Sequence, residues 1–484
     1  MVKKSNSIYI TTTLPYINAE PHVGFAMELI RADVLARYSK LEGFDVFFNT
    51  GTDEHGQKIY ESAEKKGVEI KKYCDSLATR FLELIPVLNI SKDINFIRTT
   101  NEKHVAAAQY FWNLVKKKGF IEKKIYRSKY CVGCELEKTD SELENSRCPL
   151  HPNREIENIN EENYFFLFSK FKEKLLSLYK SDPNYVSGQG RFNEIRSFVG
   201  NDLQDFSISR LKSKVPWGVT VPGDNEHVMY VWFDALVSYI STLGWPENNK
   251  NFEKYWVNGT TYQYAGKDNL RQQSAMWQAM LMAANLPNTK KIRINGFING
   301  ENGSKMSKSL GNVISPFYLV DKYGTDSLRY FLLRHIPAFE DGEMSIDIFH
   351  DKYSAHLVNG LGNLANRILN LSEKYIDDVN NYEMRYDPNF SKFMDSGNFP
   401  KALDFVWEKI GDLDKYVSRE EPYKIIKINP KLGKEIIKES RNRLYEINEY
   451  LEVFMPETFE KLKVYILENK KPNTPLFPRL DKNE

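Results

Sequence analysis

No apolar run in these 484 residues approaches the ~18 needed to cross a bilayer as a helix, so the chain is expected off the membrane. The opening MVKKSNSIYITTT places polar threonines where a secretory signal would carry its apolar core, and the expected compartment is the cytoplasm. Cysteine is scarce, with Cys74, Cys131, Cys134 and Cys148 the full set of 4. Three of them fall close together, which excludes the disulfide framework of a small secreted domain. An excess of one charge is missing as well. Lys and Arg number 67 and Asp and Glu 65, leaving +2. That balance excludes coating nucleic acid by bulk charge, so any such partner must be met by local patches. The chain contains no internal repeat and no low-complexity tract.

What is present reads as a globular chain, 41% hydrophobic and 27% charged, long enough for ~3 folding units. Ile8, Tyr9 and Ile10 form a strand-like run. From Val23, apolar residues recur at helical spacing through Ala26, Met27, Ile30, Val34, Leu35, Tyr38 and Leu41, and Gly43 stops the helix. DVFFNT at 45–50 supplies a second strand, so the opening predicts a βαβ unit and a parallel sheet. Residues 118–225 change character, with a cysteine-bearing irregular stretch, an aromatic run NYFFLF and a loop-rich segment, and they read as an insertion. Buried strand or helix patterns return with HVMYVWFDALVSYI, TYQYAGKD and KKIRINGFI. Beyond about 345, Leu357, Leu361, Leu364, Ile368 and Leu371 step at helical intervals and predict a helical bundle. The expected organisation is 1–117 and 226–298 as two halves of one α/β domain, 118–225 as the insertion, 299–345 as a loop and connecting region, and 346–484 as a helical domain.

Three groups of residues carry chemistry. HVGF at 22–25 lies just past the first strand, where helix N-H groups face ligands; Gly24 lets a phosphate approach the backbone and His22 can donate to it. KMSKS at 305–309 follows Gly300, Asn302 and Gly303 and presents Lys305 and Lys308, two ammonium groups suited to a polyphosphate whose charge grows as pyrophosphate leaves. Cys131, Cys134, Cys148 and His151 form C-x2-C and C-x2-H pairs, the donor set of a closed, structural tetrahedral zinc. Cys74 lies apart and reads as a small buried residue.

HVGF and KMSKS together resemble the signature pair of class I aminoacyl-tRNA synthetases. TTTLPYINAEPHVG, GTDEHGQKIYESA, FSISR, EHVMYVWFDAL, YAGKD and KMSKSLGNVISP are similar, in order and spacing, to the methionyl-tRNA synthetases. The resemblance implies a Rossmann-like catalytic domain split by a zinc-bearing insertion, followed by an α-helical anticodon-binding domain. It implies activation of methionine by ATP, taken with Mg2+, and transfer of the methionyl group to the 3′ terminal adenosine of tRNA. Carried onto this chain, it assigns Leu14, Tyr16, Asp53, Trp232, Ala235, Tyr239 and Asn295 to methionine. His22, Gly24, Gly266, Asp268, Lys305 and Lys308 are assigned to ATP, with His22, Gly24, Lys305 and Lys308 the catalytic set. Asn363, Arg367 and the ring of Tyr423, after Pro422, are assigned to the anticodon. With no appended dimerising module read, a monomer is expected.

The chain departs from that pattern at Phe25, where the signature has a second histidine, at Gln273 and Asn295, where histidine is common, and at Tyr423, where tryptophan is usual. The alternatives are a class I enzyme for isoleucine, valine, leucine or cysteine, or a zinc-bearing RNA-binding homologue with weakened catalysis. An insertion of about 110 residues is short for an editing domain, which argues against the first three.

Overall fold

Short runs of β-branched and aromatic residues without alternating charge are what a strand buried on both faces requires. Ser7–Thr11 (β1) and Asp45–Thr52 (β2) are such runs. The computed structural model describes residues 6–18, 20–138, 140–201, 203–304, 313–377 and 386–482. It pairs β1 and β2 in parallel from Ser7↔Asp45 to Thr11↔Asn49. Val23–Leu41 (α1) connects them in sequence, and Gly43 just beyond its end takes φ 83°, giving the expected βαβ order. Asn95–Arg98 (β3) lies parallel to β2, Thr260–Gly266 (β4) lies parallel to β1 on its other side, and Lys291–Asn295 (β5) lies beyond β4. The sheet order β5-β4-β1-β2-β3 therefore reverses direction at β1, and in such sheets ligands bind at the carboxyl ends of the strands beside the reversal.

The chain forms two compact units. The first comprises Met1–Glu20, Gly43–Glu83 and Asp93–Ile294. In it Glu102–Lys117 (α2) packs on Val231–Ser241 (α3), with Phe233 set edge-on against Phe111 at 5.8 Å and Trp112 at 5.2 Å. Residues 121–166 depart from the irregular stretch expected there. Ile121–Cys131 and Glu157–Phe166 form one long antiparallel ribbon, in register from Ile121↔Phe166 to Tyr130↔Glu157. Charged residues crowd its middle and Ile125 is exposed, so the alternation that marks a half-buried strand is absent there. Helices Lys172–Ser181 and Gln189–Gly200 place Leu175, Tyr179, Phe192 and Ile195 in the same core as Trp277, and Ser187 N-H donates to the Ile292 carbonyl on β5 at 2.9 Å.

The second unit comprises Pro21–Glu42, Leu84–Lys92 and Asn295–Glu484. Leu357, Leu361, Leu364 and Ile368 are buried as their spacing predicts, although the run passes through a wide, π-helical segment at Tyr353–Gly362 before Asn363–Tyr375 (α4). Phe399–Glu420 (α5) and Pro430–Leu451 (α6) complete the bundle's long helices. Gly433 admits the neighbouring Pro422–Ile428 helix so closely that an added Cβ would lie 2.4 Å from Ile426 Cα. Among the described residues no helix is long and apolar enough to cross a membrane.

Candidate active site

In the first unit the segments leaving β1 and β2 are tied together by their backbones. Asp53 N-H donates to the Pro15 carbonyl at 3.0 Å and Ile17 N-H to the Asp53 carbonyl at 3.2 Å, which sets Tyr16 beside Asp53. Leu14 and Tyr16 are half-buried there, while Asp53 is buried. Burial, then the nearby Asp234 and Glu135 carboxylates, push the Asp53 carboxyl well above its ordinary range. Its side chain takes a long 3.5 Å bond from the Thr99 hydroxyl, and no cation pairs with it among the described residues. A cationic ligand would relieve that penalty.

The neighbouring residues of the GTDEHG string hold the turn. Glu54 receives Arg98 in two bonds, Nε at 2.6 Å and Nη2 at 2.9 Å, and its carbonyl accepts from Trp217 Nε1 at 2.5 Å. His55 Nδ1 lies 2.6 Å from Asp234 Oδ2, and His104 Nε2 lies 2.7 Å from Asp234 Oδ1. Burial opposes ionisation of Asp234, yet the His55 imidazole and the hydrogen bonds from His104 and His55 bring its carboxyl down to about 2. Asp234 is thus a fixed anion anchoring α3, whose other residues, half-buried Trp232 and buried Ala235 and Tyr239, were assigned to methionine. Sequence reasoning had no role for Glu54, His55 or Asp234 although their strings were quoted, and His104 carried no local signal at all.

Behind Tyr239 stands buried Gln273, whose Nε2 donates to the Tyr239 hydroxyl at 2.7 Å. Gly266 and Asp268 close the end of β4, where a Cβ on residue 266 would lie 2.6 Å from Asp268 Oδ1.

The four knuckle residues converge. Cys134 Sγ lies 3.4 Å from Cys148 Sγ and 3.2 Å from His151 Nδ1, and Nδ1 lies 3.8 Å from Cys131 Sγ. All four donor atoms fall within 4.8 Å of one another. Tetrahedral zinc, at about 2.3 Å to sulfur and 2.0–2.1 Å to nitrogen, needs donors roughly 3.4–3.8 Å apart, so the set fits that ion. None of the four cysteines is joined to another in a disulfide. Gly133 is required at the turn, because a Cβ there would lie 2.4 Å from His151 Cγ. Cys74 is fully buried, as expected, and burial pushes its thiol up to about 12.

In the second unit, His22 caps α1, its Nδ1 accepting from Gly24 N-H at 3.1 Å. Gly24 has a local reason to be glycine, since a Cβ would lie 2.9 Å from the His22 ring. Asn295 Oδ1 accepts from Arg31 Nη1 at 2.9 Å, which turns Nδ2 the other way, buried and without a partner among the described residues. Asn363 is exposed on α4; Arg367 is partly exposed and pairs with Asp414 on α5 at 2.8 Å. The Tyr423 ring is exposed at the start of its helix, with its hydroxyl donating to Glu421 at 2.9 Å. Lys305 and Lys308 lie outside the described residues.

A parallel sheet reversing at β1, with an uncompensated carboxylate at its strand ends and a four-donor knuckle in the insertion, is the frame of a class I tRNA synthetase. The family model "tRNA synthetases class I (M)" matches residues 8–157 and 133–369. The chain is 39% identical to the methionine–tRNA ligase of Thermotoga maritima, over 86% of this chain and 68% of that one. It is 37% identical to the methionine–tRNA ligase of Brucella melitensis, over 94% and 90%. Among solved structures, Mycobacterium tuberculosis methionyl-tRNA synthetase in complex with methionyl-adenylate superposes with TM-score 0.89 at 31% identity, over 98% of this chain and 100% of that one. The chain belongs to the methionyl-tRNA synthetase family.

Proposed function

We infer that this chain is an ATP-dependent methionine–tRNA ligase. The methionine carboxylate attacks the α-phosphorus of ATP and pyrophosphate leaves; a ribose hydroxyl of the terminal tRNA adenosine then attacks the acyl carbon and AMP leaves. The observation that carries this reading within the family is Asp53, a buried carboxylate beside the sheet's reversal point that no cation pairs with among the described residues. An amino-acid ammonium is the ligand that such a group favours. Trp232 and Tyr239 offer aromatic faces to a thioether, and Asn295 is assigned to methionine on the motif resemblance alone.

The remaining assignments rest on the motifs. His22 and Gly24 serve the phosphates, Gly266 and Asp268 the ribose, and Lys305 and Lys308 the departing pyrophosphate, with Mg2+ entering alongside ATP. No side-chain nucleophile is needed, since positioning and charge stabilisation carry the barrier. Cys131, Cys134, Cys148 and His151 would hold a structural zinc that fixes the knuckle, with all four positions taken by protein. Asn363, Arg367 and Tyr423 read the anticodon; Arg367 must exchange Asp414 for a base or phosphate to do so. The test is methionine-dependent exchange of labelled pyrophosphate into ATP. Exchange with methionine and not with isoleucine, valine, leucine or cysteine is expected, and no exchange at all would leave an RNA-binding homologue without catalysis.

A further inference from the structure

Glu135 follows Cys134 directly, is 6% exposed, and takes a left-handed φ of 51°. Its carboxylate does not brace the knuckle. Instead Oε1 accepts from the Tyr16 hydroxyl at 2.6 Å, and from Lys58 N-H at 3.4 Å. Its main-chain carbonyl accepts from the Tyr230 hydroxyl, and Lys58 Nζ donates to the Gly133 carbonyl at 3.2 Å while standing 5.5 Å over the Tyr16 ring. Gly56, the last residue of GTDEHG, has φ 111°, and a Cβ there would lie 2.4 Å from the Tyr16 hydroxyl and 3.3 Å from both Glu135 oxygens. Three segments, at 16, 56–58 and 133–135, thus close on one hydrogen bond. One end of that bond is the residue next to a metal donor; the other is a residue assigned to methionine.

We propose that Glu135 is a positioning residue through which the knuckle's metal and the bound methionine stabilise each other. With the metal held, the 131–134 turn is fixed, Glu135 is presented, and Tyr16 is kept in the orientation that lines the pocket beside Asp53. Coupling between two ligands is reciprocal, so methionine must tighten metal binding by the same factor by which metal tightens methionine. The proposal rests on the reading of Tyr16 as a methionine-pocket residue.

The experiment uses the zinc-loaded protein. Zinc affinity is measured against a chelator buffer with and without saturating methionine, and methionine affinity by equilibrium dialysis at high and low zinc occupancy. Both ratios are expected to agree at about fivefold or more. Glu135→Gln, whose amide oxygen still accepts from Tyr16, should keep most of the effect. Glu135→Ala and Tyr16→Phe should each bring the ratio to near one, and the double variant should add nothing further. Tyr16→Phe preserves shape and leaves Glu135 in place, so coupling that persists in a folded Tyr16→Phe protein overturns the proposal. Ratios of one in the unaltered protein, with neither ligand changing the other's affinity, overturn it too. Methionine affinity in the zinc-loaded protein that is untouched by Tyr16→Ala would overturn the pocket assignment itself, a separate failure read in a separate measurement.

Discussion

Two buried aspartates, one in each unit, show how differently a fold can treat the same group. Asp33 on α1 is fully buried and ringed by Arg329 Nη2 at 2.8 Å, Arg37 Nε at 2.8 Å and the Ser91 hydroxyl at 2.6 Å. Burial raises its carboxyl, but the Arg329 and Arg37 guanidinium groups outweigh that and hold it below the usual range. Asp53, also buried, has no such cations among the described residues, and burial together with the Asp234 and Glu135 carboxylates pushes it the other way. The first carboxylate is finished by the protein; the second is left for something to finish. A buried charge without its partner is costly, and a fold keeps that cost where a ligand repays it.

The strongest way to break this comparison is to neutralise both. Asp33→Asn should destabilise the protein by about 3–5 kcal/mol, because Arg329 is left buried and uncompensated. Asp53→Asn should leave the melting temperature unchanged or higher and weaken methionine by roughly 100-fold or more, the cost of burying an ammonium without its anion. Calorimetry and equilibrium dialysis on the two variants decide it; a destabilised Asp53→Asn with normal methionine affinity would make Asp53 structural. Only the ionised carboxylate pairs with an ammonium. Methionine affinity in the parent should therefore fall as pH drops through a value above the ordinary aspartate range, and that titration should vanish in Asp53→Asn.

Local features were legible before any coordinates. The strand runs at 8–10 and 45–50, the helix between them and the C-x2-C and C-x2-H pairs are set by neighbours a few residues apart, where spacing is informative. What escaped was long-range pairing. His104 meets Asp234 across 130 residues, and Tyr16 meets Glu135 across 119, distances over which one sequence carries no periodic signal. The 121–166 ribbon escaped for a different reason, since lysine and glutamate crowd the middle of both of its strands and erase the alternation. Arg367 was placed on the right helix but its ion pair with Asp414 on another helix could not be read from either stretch alone.

A smaller effect sharpens the comparison within the second unit. Asp326 caps the helix Pro456–Leu467 from outside, Oδ2 accepting from Thr458 N-H at 2.6 Å, while Oδ1 has no partner among the described residues. Burial outweighs the hydrogen bond from Thr458 and raises the carboxyl to about 6. For an acid raised in the folded state, the native protein binds more protons between the two pKa values, so stability is full below the unfolded value near 3.9 and declines as pH rises through 6. Asp326→Asn keeps an acceptor for Thr458 and removes the ionisation. It should stabilise the protein at pH 7 by on the order of 2–3 kcal/mol and flatten the stability profile between pH 4 and 6, measured by urea unfolding across that range.

The smallest effect expected comes from a group that does not titrate. Gln273 donates to Tyr239, accepts from Gln263 Nε2 at 3.4 Å, and shares its carbonyl with Gln278 Nε2 at 2.8 Å; Gln278 in turn donates to Thr289 at 3.1 Å, and Thr289 donates to Gln263. Each amide's orientation is fixed by the next, so the donor facing Tyr239 is the same at every pH near neutrality. Replacing it with a ring that gains a proton near pH 6.5 removes that constancy. Gln273→His should therefore show a ratio of methionine KM, variant over parent, that changes between pH 6 and 8 by roughly twofold to tenfold, about the worth of one hydrogen bond. Taking the ratio at each pH cancels the Asp53 titration common to both proteins. A flat ratio would mean that the hydroxyl of Tyr239 is oriented by something other than residue 273, and the amide chain would then be packing alone.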